Sequence, residues 1–337
     1  MKAIMIGTGG ISNAWFPALK AHDVTLAAAV DLDPELAKSQ LAKHEVTTAE
    51  VFTNLDEALS KTEADFAIDL TTPAAHKTIT CACLEAGLPV IGEKPMAENM
   101  EQAREMVATS DKTGKLYMVS QSRRYGPHHQ QVADTLASGK IGDVTTILCD
   151  FYIGAHFGGF RDKMAHVLLN DMAIHHFDLA RMFTGLDPVS VFAEEFNPKG
   201  SWYRSGPAAH CLFTMTEDVR FAYRGSWCSD IGPAGTSWNG NWRIIGTRGA
   251  VILADDAVSG RVVTSDEGFM LPTDELELEP LNESMHQGQT GALGEFIAAL
   301  QGGPTPQGEC HDNIKSMAMV SYAIDSAEKD QRLTIEI

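Results

Sequence analysis

The stretch "KAIMIGTGGIS", residues 2–12, sets the fold expected for this chain of 337 residues. Lys2 is followed by four apolar residues, typical of a buried strand over residues 2–6, and "GTGGIS" leads from that strand into a helix predicted over residues 11–22. Gly7 and Gly9 fill the first two positions of G-x-G-x-x-G, which permit a tight turn and a close approach of a pyrophosphate. Ser12 fills the third, small-residue position. The stretch therefore predicts a dinucleotide-binding loop that ends at a helix N-terminus, where free N–H groups favour phosphate.

An acid at the end of the second predicted strand supports this interpretation. Asp31 follows that strand (residues 24–30) at about 20–25 residues beyond the glycines, where a carboxylate binds the adenosine ribose hydroxyls. Asp33 adds negative charge nearby and no arginine replaces either acid, so a 2′-phosphate would be repelled and NAD is expected rather than NADP. The structural alternative is that each aspartate only caps the next helix, and for Asp33 this alternative is favoured.

The rhythm of strands and helices divides the chain in two. Up to residue 120, six short apolar runs alternate with amphipathic helical stretches, which is typical of a Rossmann-type, doubly wound parallel sheet. Beyond it, longer stretches that alternate apolar and polar residues predict an α+β domain with one open, mainly antiparallel sheet. We expect an α/β protein with a dinucleotide-binding domain over residues 1–120 and a substrate-binding and oligomerisation domain over residues 121–337.

Composition limits the class of partner and the compartment. The formal net charge is −19, which disfavours nucleic acid and an anionic membrane surface as partners. No apolar run has the length of a membrane span, and the N-terminal stretch lacks the long apolar segment of a signal peptide. The six cysteines are scattered without C-x-x-C spacing, as expected of free thiols in a reducing compartment, so a cytoplasmic location is predicted.

A second charged stretch, "PVIGEKPMAENM" at residues 89–100, follows the fifth predicted strand. It places Glu93 and Lys94 directly after an apolar run and before Pro95. The carboxyl ends of strands beside the switch point of a doubly wound sheet are where ligands bind. Lys94 is therefore expected at the nicotinamide end of the dinucleotide, where an ammonium group can donate to a substrate hydroxyl or carbonyl.

The sequence resembles the Gfo/Idh/MocA oxidoreductases over essentially its whole length. The resemblance is carried by "GTGGIS", "TTPAAH", "AGLPVIGEKPMA", "QSRRYGP", "NDMAIHHFDLARMFTG" and "SAEKDQRLTI". It implies that Lys94 of the E-K-P turn is catalytic and that the Lys94–Pro95 bond is cis. Glu93 is expected to anchor this turn rather than to react.

The segment around residue 171 resembles the family's second motif, D-x-[GA]-x-H-x-x-D. Asp171 and His175 are four residues apart and would share one face of a helix. The resemblance implies that they complete a catalytic triad with Lys94. Histidine suits removal of the hydroxyl proton, and a carboxylate can fix its tautomer or hold a second hydroxyl. The structural alternative is a packing or capping role for His175, while His176 is expected to pack and no metal is expected.

The remaining candidates come from the other motifs. "QSRRYGP" resembles the family's Q-x-x-R-[FY]-x-P and adds Gln121 and Arg124, the latter equally compatible with a salt bridge between the domains. The predicted cofactor-binding residues are Gly7, Thr8, Gly9, Gly10, Ile11, Asp31, Thr71, Thr72, Pro73, His76, Glu93, Lys94 and Gln121. The predicted substrate-binding residues are Lys94, Arg124, Tyr152, His156, Arg161, Asp171 and His175. The aromatic run "TSWNGNWRI" is expected to pack in the sheet or at an interface rather than to bind substrate.

These observations predict an NAD-dependent oxidoreductase acting on CH–OH groups. The expected substrate is a small polyhydroxylated molecule, namely a sugar, a sugar derivative or a cyclitol, with hydride transferred between a secondary alcohol and the nicotinamide. Two alternatives stay open: redox-neutral elimination or glycoside cleavage through a transient keto-sugar, and a non-catalytic sensor. The resemblance also implies a homodimer or homotetramer.

Overall fold

The structure, a computed structural model, describes residues 1–337. The first part of the chain alternates strands and helices in the predicted order. Its strands are β1 (Lys2–Ile6), β2 (Thr25–Val30), β3 (Glu50–Phe52), β4 (Phe66–Asp69), β5 (Val90–Glu93) and β6 (Tyr117–Ser120). Its helices are α1 (Ser12–Ala21), α2 (Pro34–Lys43), α3 (Leu55–Lys61), α4 (Pro73–Glu85) and α5 (Met100–Thr113).

The rest of the chain contains longer strands. The helices are α6 (Pro127–Ala137), α7 (Ile174–Thr184), α8 (Gly288–Leu300) and α9 (Cys310–Lys329), and α7 is preceded by a π-helical segment, Leu168–Ala173. The strands are β7 (Val144–Tyr152), β8 (Pro188–Phe196), β9 (Ala208–Met215), β10 (Arg220–Ser226), β11 (Asn241–Gly246), β12 (Gly249–Ala254), β13 (Ala257–Val263), β14 (Thr273–Glu275) and β15 (Leu333–Thr334). No helix combines the length and the apolar character needed to cross a membrane.

Sheet topology confirms the predicted fold class. The first six strands are parallel in the order β3-β2-β1-β4-β5-β6, which is the doubly wound dinucleotide-binding order. The other nine form one open sheet in the order β14-β13-β12-β11-β7-β10-β9-β8-β15. Neighbours in it are antiparallel except β7 and β10, which are parallel.

Local sequence signals explain where several helices begin and end. The Asp33 side chain accepts the amides of Glu35 and Leu36 at the start of α2, next to a proline in its first turn. Asn99 caps α5 in the same way, and α5 ends at Gly114, whose φ of 64° is left-handed. These caps lie at the ends of apolar-periodic segments, which is why the first six strands and five helices were predictable.

The chain divides into two compact units. The first comprises Met1–Tyr125 and Met285–Met317, and the second comprises Gly126–Ser284 and Ala318–Ile337. A single division at residue 120 therefore differs from these units, because a late segment with helix α8 returns to the first one. Phe296 of α8 is fully buried there and meets the ring of Phe66 at a centroid distance of 5.4 Å. Helix α8 and strands β13 and β14 lack a clear sequence signal and were not predicted.

Candidate active site

The glycine loop has the geometry expected of a phosphate-binding turn. Gly7 has a φ of 88°, and a Cβ there would lie 2.7 Å from the carbonyl oxygen of Leu70, so only glycine fits. Nothing lies within 4 Å of the place where a Cβ of Gly9 would stand, which leaves open space above the backbone. Ser12 fastens the turn, since its hydroxyl donates to the Gly9 carbonyl over 2.7 Å. Helix α1 begins without a side-chain cap or an acid in its first turn, so none of its own first-turn side chains competes with a bound anion.

Asp31 lies at the carboxyl end of β2, beside this loop. Its Oδ2 accepts both the amide and the hydroxyl of Thr8, each over 2.7 Å, and its Oδ1 accepts the amide of Asp33. Burial raises the pKa of Asp31, but the hydrogen bonds from Asp33 and Thr8 outweigh it and bring the pKa below its ordinary value. The carboxylate is therefore ionised at neutral pH and keeps acceptor capacity for hydroxyl groups. Asp33 itself caps α2, the alternative favoured for it from the sequence.

The turn after β4 is organised by an acid that the sequence analysis missed. Asp69 is fully buried, and its carboxylate accepts the amide and hydroxyl of Thr71 and the hydroxyl of Thr80. Thr72 and Pro73 follow at the start of α4, where Thr72 makes no side-chain cap. The "DLTTP" pattern, an acid two residues before a threonine at a strand end, is the signal that could have identified Asp69.

The imidazole of His76 links this turn to the turn after β5, and both of its nitrogens lie beside backbone carbonyl oxygens. Its Nδ1 lies 2.8 Å from the carbonyl oxygen of Pro95 and its Nε2 lies 3.0 Å from that of Thr71. The residue is 2% exposed. A neutral imidazole can donate to only one of the two carbonyls at a time. These contacts favour a positioning role for His76 over the direct cofactor contact expected from the sequence.

Glu93 and Lys94 end strand β5 at the same edge of the sheet. The Lys94–Pro95 bond is cis, as the resemblance implied. Glu93 is buried and its Oε1 accepts the indole N–H of Trp15 over 2.9 Å and the amide of Gln289 over 3.3 Å. The carboxylate thus joins the turn to α1 and α8, which favours the anchoring role expected for Glu93. Lys94 is half-buried.

Gln121 and Arg124 follow β6 and differ in their contacts. Gln121 is 1% exposed, and neither polar atom of its side-chain amide has a protein partner. Buried amides are normally satisfied, so this one is suited to a polar ligand group. Arg124 is also buried, but its guanidinium donates to the Gln307 carbonyl over 2.6 Å and to Asp312 over 3.0 Å. These partners lie in the same compact unit as Arg124 and favour a structural role within that unit.

The first unit therefore fits a dinucleotide. The open space above Gly9 suits a pyrophosphate, and the ionised Asp31 suits a ribose diol. The unsatisfied amide of Gln121 directly follows β6, the neighbour of the strand β5 that leads to Lys94. Thr8 holds Asp31 with both its amide and its hydroxyl, while Gly10 and Ile11 are exposed at the tip of the loop.

In the second unit, Asp171 and His175 lie on consecutive helical segments. Asp171 is within the π-helical Leu168–Ala173, and His175 is in the first turn of α7. A regular α-helix was expected here; π-helical turns are rare and are frequently found at functional sites. His175 is 9% exposed. Asp171 accepts the Nε–H of Arg161 over 2.5 Å, so two of the predicted substrate residues are joined by an ion pair.

His176 is a packing residue, as expected. It is fully buried, and its ring lies 4.8 Å from that of Phe151 and 5.5 Å from that of Tyr223. Trp242 of the "TSWNGNWRI" run is also in this core, 2% exposed and 5.9 Å from the His176 ring. Trp238 of the same run is instead 46% exposed.

The other predicted substrate residues lie on β7 and in the loop after it. Tyr152 ends β7 and is half-buried; burial, followed by the nearby charge of Asp150, raises its pKa. His156 stacks on Trp202 at a centroid distance of 3.6 Å and lies 3.7 Å from an oxygen of Asp230. His156 is thus at the surface of the second unit, on the same connection as Arg161, and Tyr152 lies on β7 directly before that connection.

Two further polar clusters were not predicted. The Nδ1–H of His166 donates to a carboxylate oxygen of Glu195 over 2.6 Å, and this hydrogen bond raises the pKa of His166 despite its burial. Glu309, Cys310 and His311 hold metal-ligating atoms within 4.8 Å of one another. Burial and the Glu309 carboxylate raise the pKa of the Cys310 thiol, and the Glu309–His311 contact is a hydrogen bond of 2.7 Å.

The fold and the loop geometry define a dinucleotide-binding protein with a second, sheet-based unit. The chain matches the Gfo/Idh/MocA oxidoreductase family with its NAD-binding Rossmann fold over residues 1–121, and the GFO/IDH/MocA C-terminal domain over residues 129–252. It belongs to this family and is an oxidoreductase with NAD as its cofactor.

Similar proteins agree with this assignment. A 1,5-anhydro-D-fructose reductase of Ensifer adhaerens is 23% identical, with 98% of each chain covered. An inositol 2-dehydrogenase of an Arthrobacter species is 27% identical over 194 residues, which are 57% of this chain and 56% of that protein. The solved structure of an Agrobacterium radiobacter oxidoreductase, in complex with NAD+, L-tartaric acid and magnesium, has the same fold, with a TM-score of 0.85, 20% identity, and 99% and 98% of the two chains covered.

Proposed function

We propose that this protein is an NAD-dependent dehydrogenase of a small polyhydroxylated substrate: a sugar, a sugar derivative or a cyclitol. The observation that carries the proposal is the edge of the first sheet, where the open glycine loop, ionised Asp31, Lys94 and the unsatisfied Gln121 amide end neighbouring parallel strands. Relatives named inositol 2-dehydrogenase and 1,5-anhydro-D-fructose reductase support the substrate class.

The roles proposed for the catalytic residues follow from their chemistry. Oxidation of an alcohol requires loss of the O–H proton as the C–H hydride leaves, and NAD supplies the ring that accepts the hydride. A ring nitrogen of His175 takes the proton, and the Lys94 ammonium donates a hydrogen bond to the oxygen that becomes the carbonyl. The Asp171 carboxylate orients a neighbouring hydroxyl group.

The supporting residues have two proposed roles, which their contacts distinguish. Gly7, Thr8, Gly9, Gly10, Ile11, Asp31 and Gln121 hold the dinucleotide. Asp69, His76 and Glu93 fix the turns that present Thr71 and Lys94, because their polar atoms bind the backbone or neighbouring side chains. We also propose a homodimer or homotetramer in the cytoplasm; all six cysteines are free, as is usual in a reducing compartment.

The test is nicotinamide absorbance with purified protein, NAD and a panel of inositols, aldoses, sugar acids and glycosides. Net reduction with one of them is expected. Lys94→Ala should lower kcat by roughly 10²–10⁴-fold while calorimetry still detects NAD binding. Lys77→Ala is the matched control, since Lys77 pairs with Glu105 at the surface of the same unit and should keep full activity. Near-normal turnover by Lys94→Ala would refute the catalytic assignment.

A further inference from the structure

Arg161 lies in the loop between β7 and the π-helical segment. Its guanidinium group makes a hydrogen bond to the protein only through Nε. Its Nε donates to Asp171, and its guanidinium carbon lies 4.9 Å from the ring centroid of Phe157 and 4.7 Å from that of Phe160. Ion pairing and two aromatic contacts together restrict a side chain that would otherwise be mobile.

The opposite edge of the guanidinium is available. A guanidinium carries five N–H donors and no acceptor. Asp171 accepts the N–H on Nε. The two terminal nitrogens carry the other four N–H donors, and none of these donors has a hydrogen-bond partner in the protein. The side chain is 32% exposed. The end of the guanidinium is therefore a planar pair of donors without a protein hydrogen bond, on a partly exposed side chain beside Asp171.

The surroundings of this pair resemble a ligand site rather than an ordinary surface. Phe157 and Phe160 are 46% and 66% exposed, so two apolar rings stand open beside the charge. Phe157 also meets Trp227 and the exposed Trp238, at centroid distances of 5.1 and 6.0 Å. Apolar walls with a few fixed polar groups are the usual composition of small-molecule sites.

The chemistry of the available donors limits what they can recognise. Each hydroxyl of a neutral polyol both donates and accepts, whereas the guanidinium end only donates. A carboxylate only accepts, and its two oxygens match the planar donor pair. The charges of Arg161, Asp162, Lys163 and Asp171 cancel, two positive against two negative, so a monoanion fits better here than a phosphate dianion.

We infer that the substrate of this dehydrogenase carries a carboxylate, as a sugar acid does, and that Arg161 binds it. The inference rests on the proposed function and narrows its substrate class. Asp171 then has two tasks: it contacts the substrate hydroxyl, and it fixes the guanidinium that binds the carboxylate.

The experiment compares matched compounds that differ in the acid group. D-Galacturonate, D-glucuronate and D-gluconate are tested against D-galactose, D-glucose, methyl D-galacturonate and D-glucose 6-phosphate. Both kcat/KM and equilibrium binding to the NAD-loaded protein are measured. At least one acid should exceed its neutral counterpart by roughly tenfold or more in both measurements, as expected for a charged hydrogen-bonded pair.

Variants separate recognition from structure. Because Arg161 also holds Asp171, Arg161→Gln should slow all substrates, so the informative quantity is the acid-to-neutral ratio. That ratio should fall toward one in Arg161→Gln, partly recover in Arg161→Lys, and stay unchanged in Lys199→Gln, which removes an exposed positive charge from the same compact unit.

The outcomes distinguish the inference from the proposed function. Oxidation of neutral sugars as readily as acids, or an unchanged ratio in Arg161→Gln, overturns the inference and leaves the dehydrogenase standing. Preference for the sugar phosphate overturns it as well. Tight, Arg161-dependent binding of an acid without NAD reduction supports the inference and contradicts the proposed net dehydrogenase. Failure of all three acids to bind overturns the inference that the substrate carries a carboxylate.

Discussion

Asp31 and Asp33 stand two residues apart and do different work. Asp31 points its carboxylate at Thr8 and the glycine loop, while Asp33 binds the first amides of α2. Both were recognised in the sequence from their place after a strand. Their different contacts, however, follow from the direction of the backbone at the end of β2. It directs the Asp31 side chain to the glycine loop and the Asp33 side chain to α2.

Replacement of Asp31 should change the choice of dinucleotide. Wild-type protein is expected to bind NAD much more tightly than NADP, because the ionised carboxylate accepts ribose hydroxyls and repels a 2′-phosphate. Asp31→Ser should weaken the binding of NAD and reduce the preference for NAD over NADP. Calorimetric measurement of the two dissociation constants checks this.

The control for this prediction is Asp33→Ala. It should cost about 0.5–2 kcal/mol of stability through loss of the helix cap. It should change the NAD-to-NADP ratio far less than Asp31→Ser does, because the Asp33 carboxylate is engaged with the first amides of α2. Equal dissociation constants of the wild type for the two dinucleotides would contradict the role given to Asp31.

At the scale of elements, the cofactor loop and the helix caps use glycine for different reasons. Gly9 is outside the left-handed region and has open space around it, whereas Gly114 closes α5 with a φ of 64°. A Cβ at Gly9 would therefore occupy only the open space that we propose for the pyrophosphate, and a Cβ at Gly114 would strain the backbone of its own residue.

Alanine at Gly9 should change NAD binding, whereas alanine at Gly114 should change stability. Gly9→Ala is expected to leave the thermal unfolding midpoint nearly unchanged and to weaken NAD binding, since its methyl group occupies the space needed by the pyrophosphate. Gly114→Ala is expected to cost about 1 kcal/mol of stability with normal NAD affinity. Calorimetric unfolding and NAD titration of both variants check this, and intact NAD affinity in Gly9→Ala would argue against phosphate binding at this loop.

The segment before α7 marks the limit of element prediction. The D-x-[GA]-x-H pattern was recognised by its resemblance to the family's motif, and a helix was expected there. The π-helical turn over Leu168–Ala173 was not foreseen, because a π turn depends on how the ends of the segment are fixed by neighbours rather than on residue type.

At the scale of the whole molecule, the nine-stranded sheet has two unequal faces. On β9, Cys211 and Phe213 are buried, while the alternating Leu212 is 40% exposed. On the neighbouring β8, Phe196 is 42% exposed and its ring meets that of His210. An exposed sheet face with apolar side chains is suited to contact with a second copy of the chain.

The expected assembly can be checked by sedimentation. The wild-type protein should have two or four times the mass of one chain, and the double variant Phe196→Lys/Leu212→Lys should shift toward one chain because two charges would be buried in the interface. Leu36→Lys, on exposed α2 in the other compact unit, should keep the wild-type mass. A single-chain mass for the wild type at micromolar concentration would exclude the assembly.

The sequence by itself determined the parts whose causes are local. The strand, glycine loop and helix of residues 2–22 and the acid at Asp31 are local features, so periodicity, caps and motif spacing are enough to identify them. The E-K-P turn and the D-x-[GA]-x-H motif are also contiguous, and they were recognised by their resemblance to the family. The alternation of six strands with helices was likewise sufficient for the doubly wound sheet.

Only the tertiary structure decided which distant residues meet. Glu93 receives the indole of Trp15, 78 residues away, and Arg124 binds Asp312, 188 residues away, so one is an anchor and the other a structural ion pair. Helix α8 returns to the first unit, and Arg161 turns one edge to Asp171 and leaves the other open. Such pairings depend on which surfaces pack together after the chain has folded, and neither residue type nor local spacing encodes that choice.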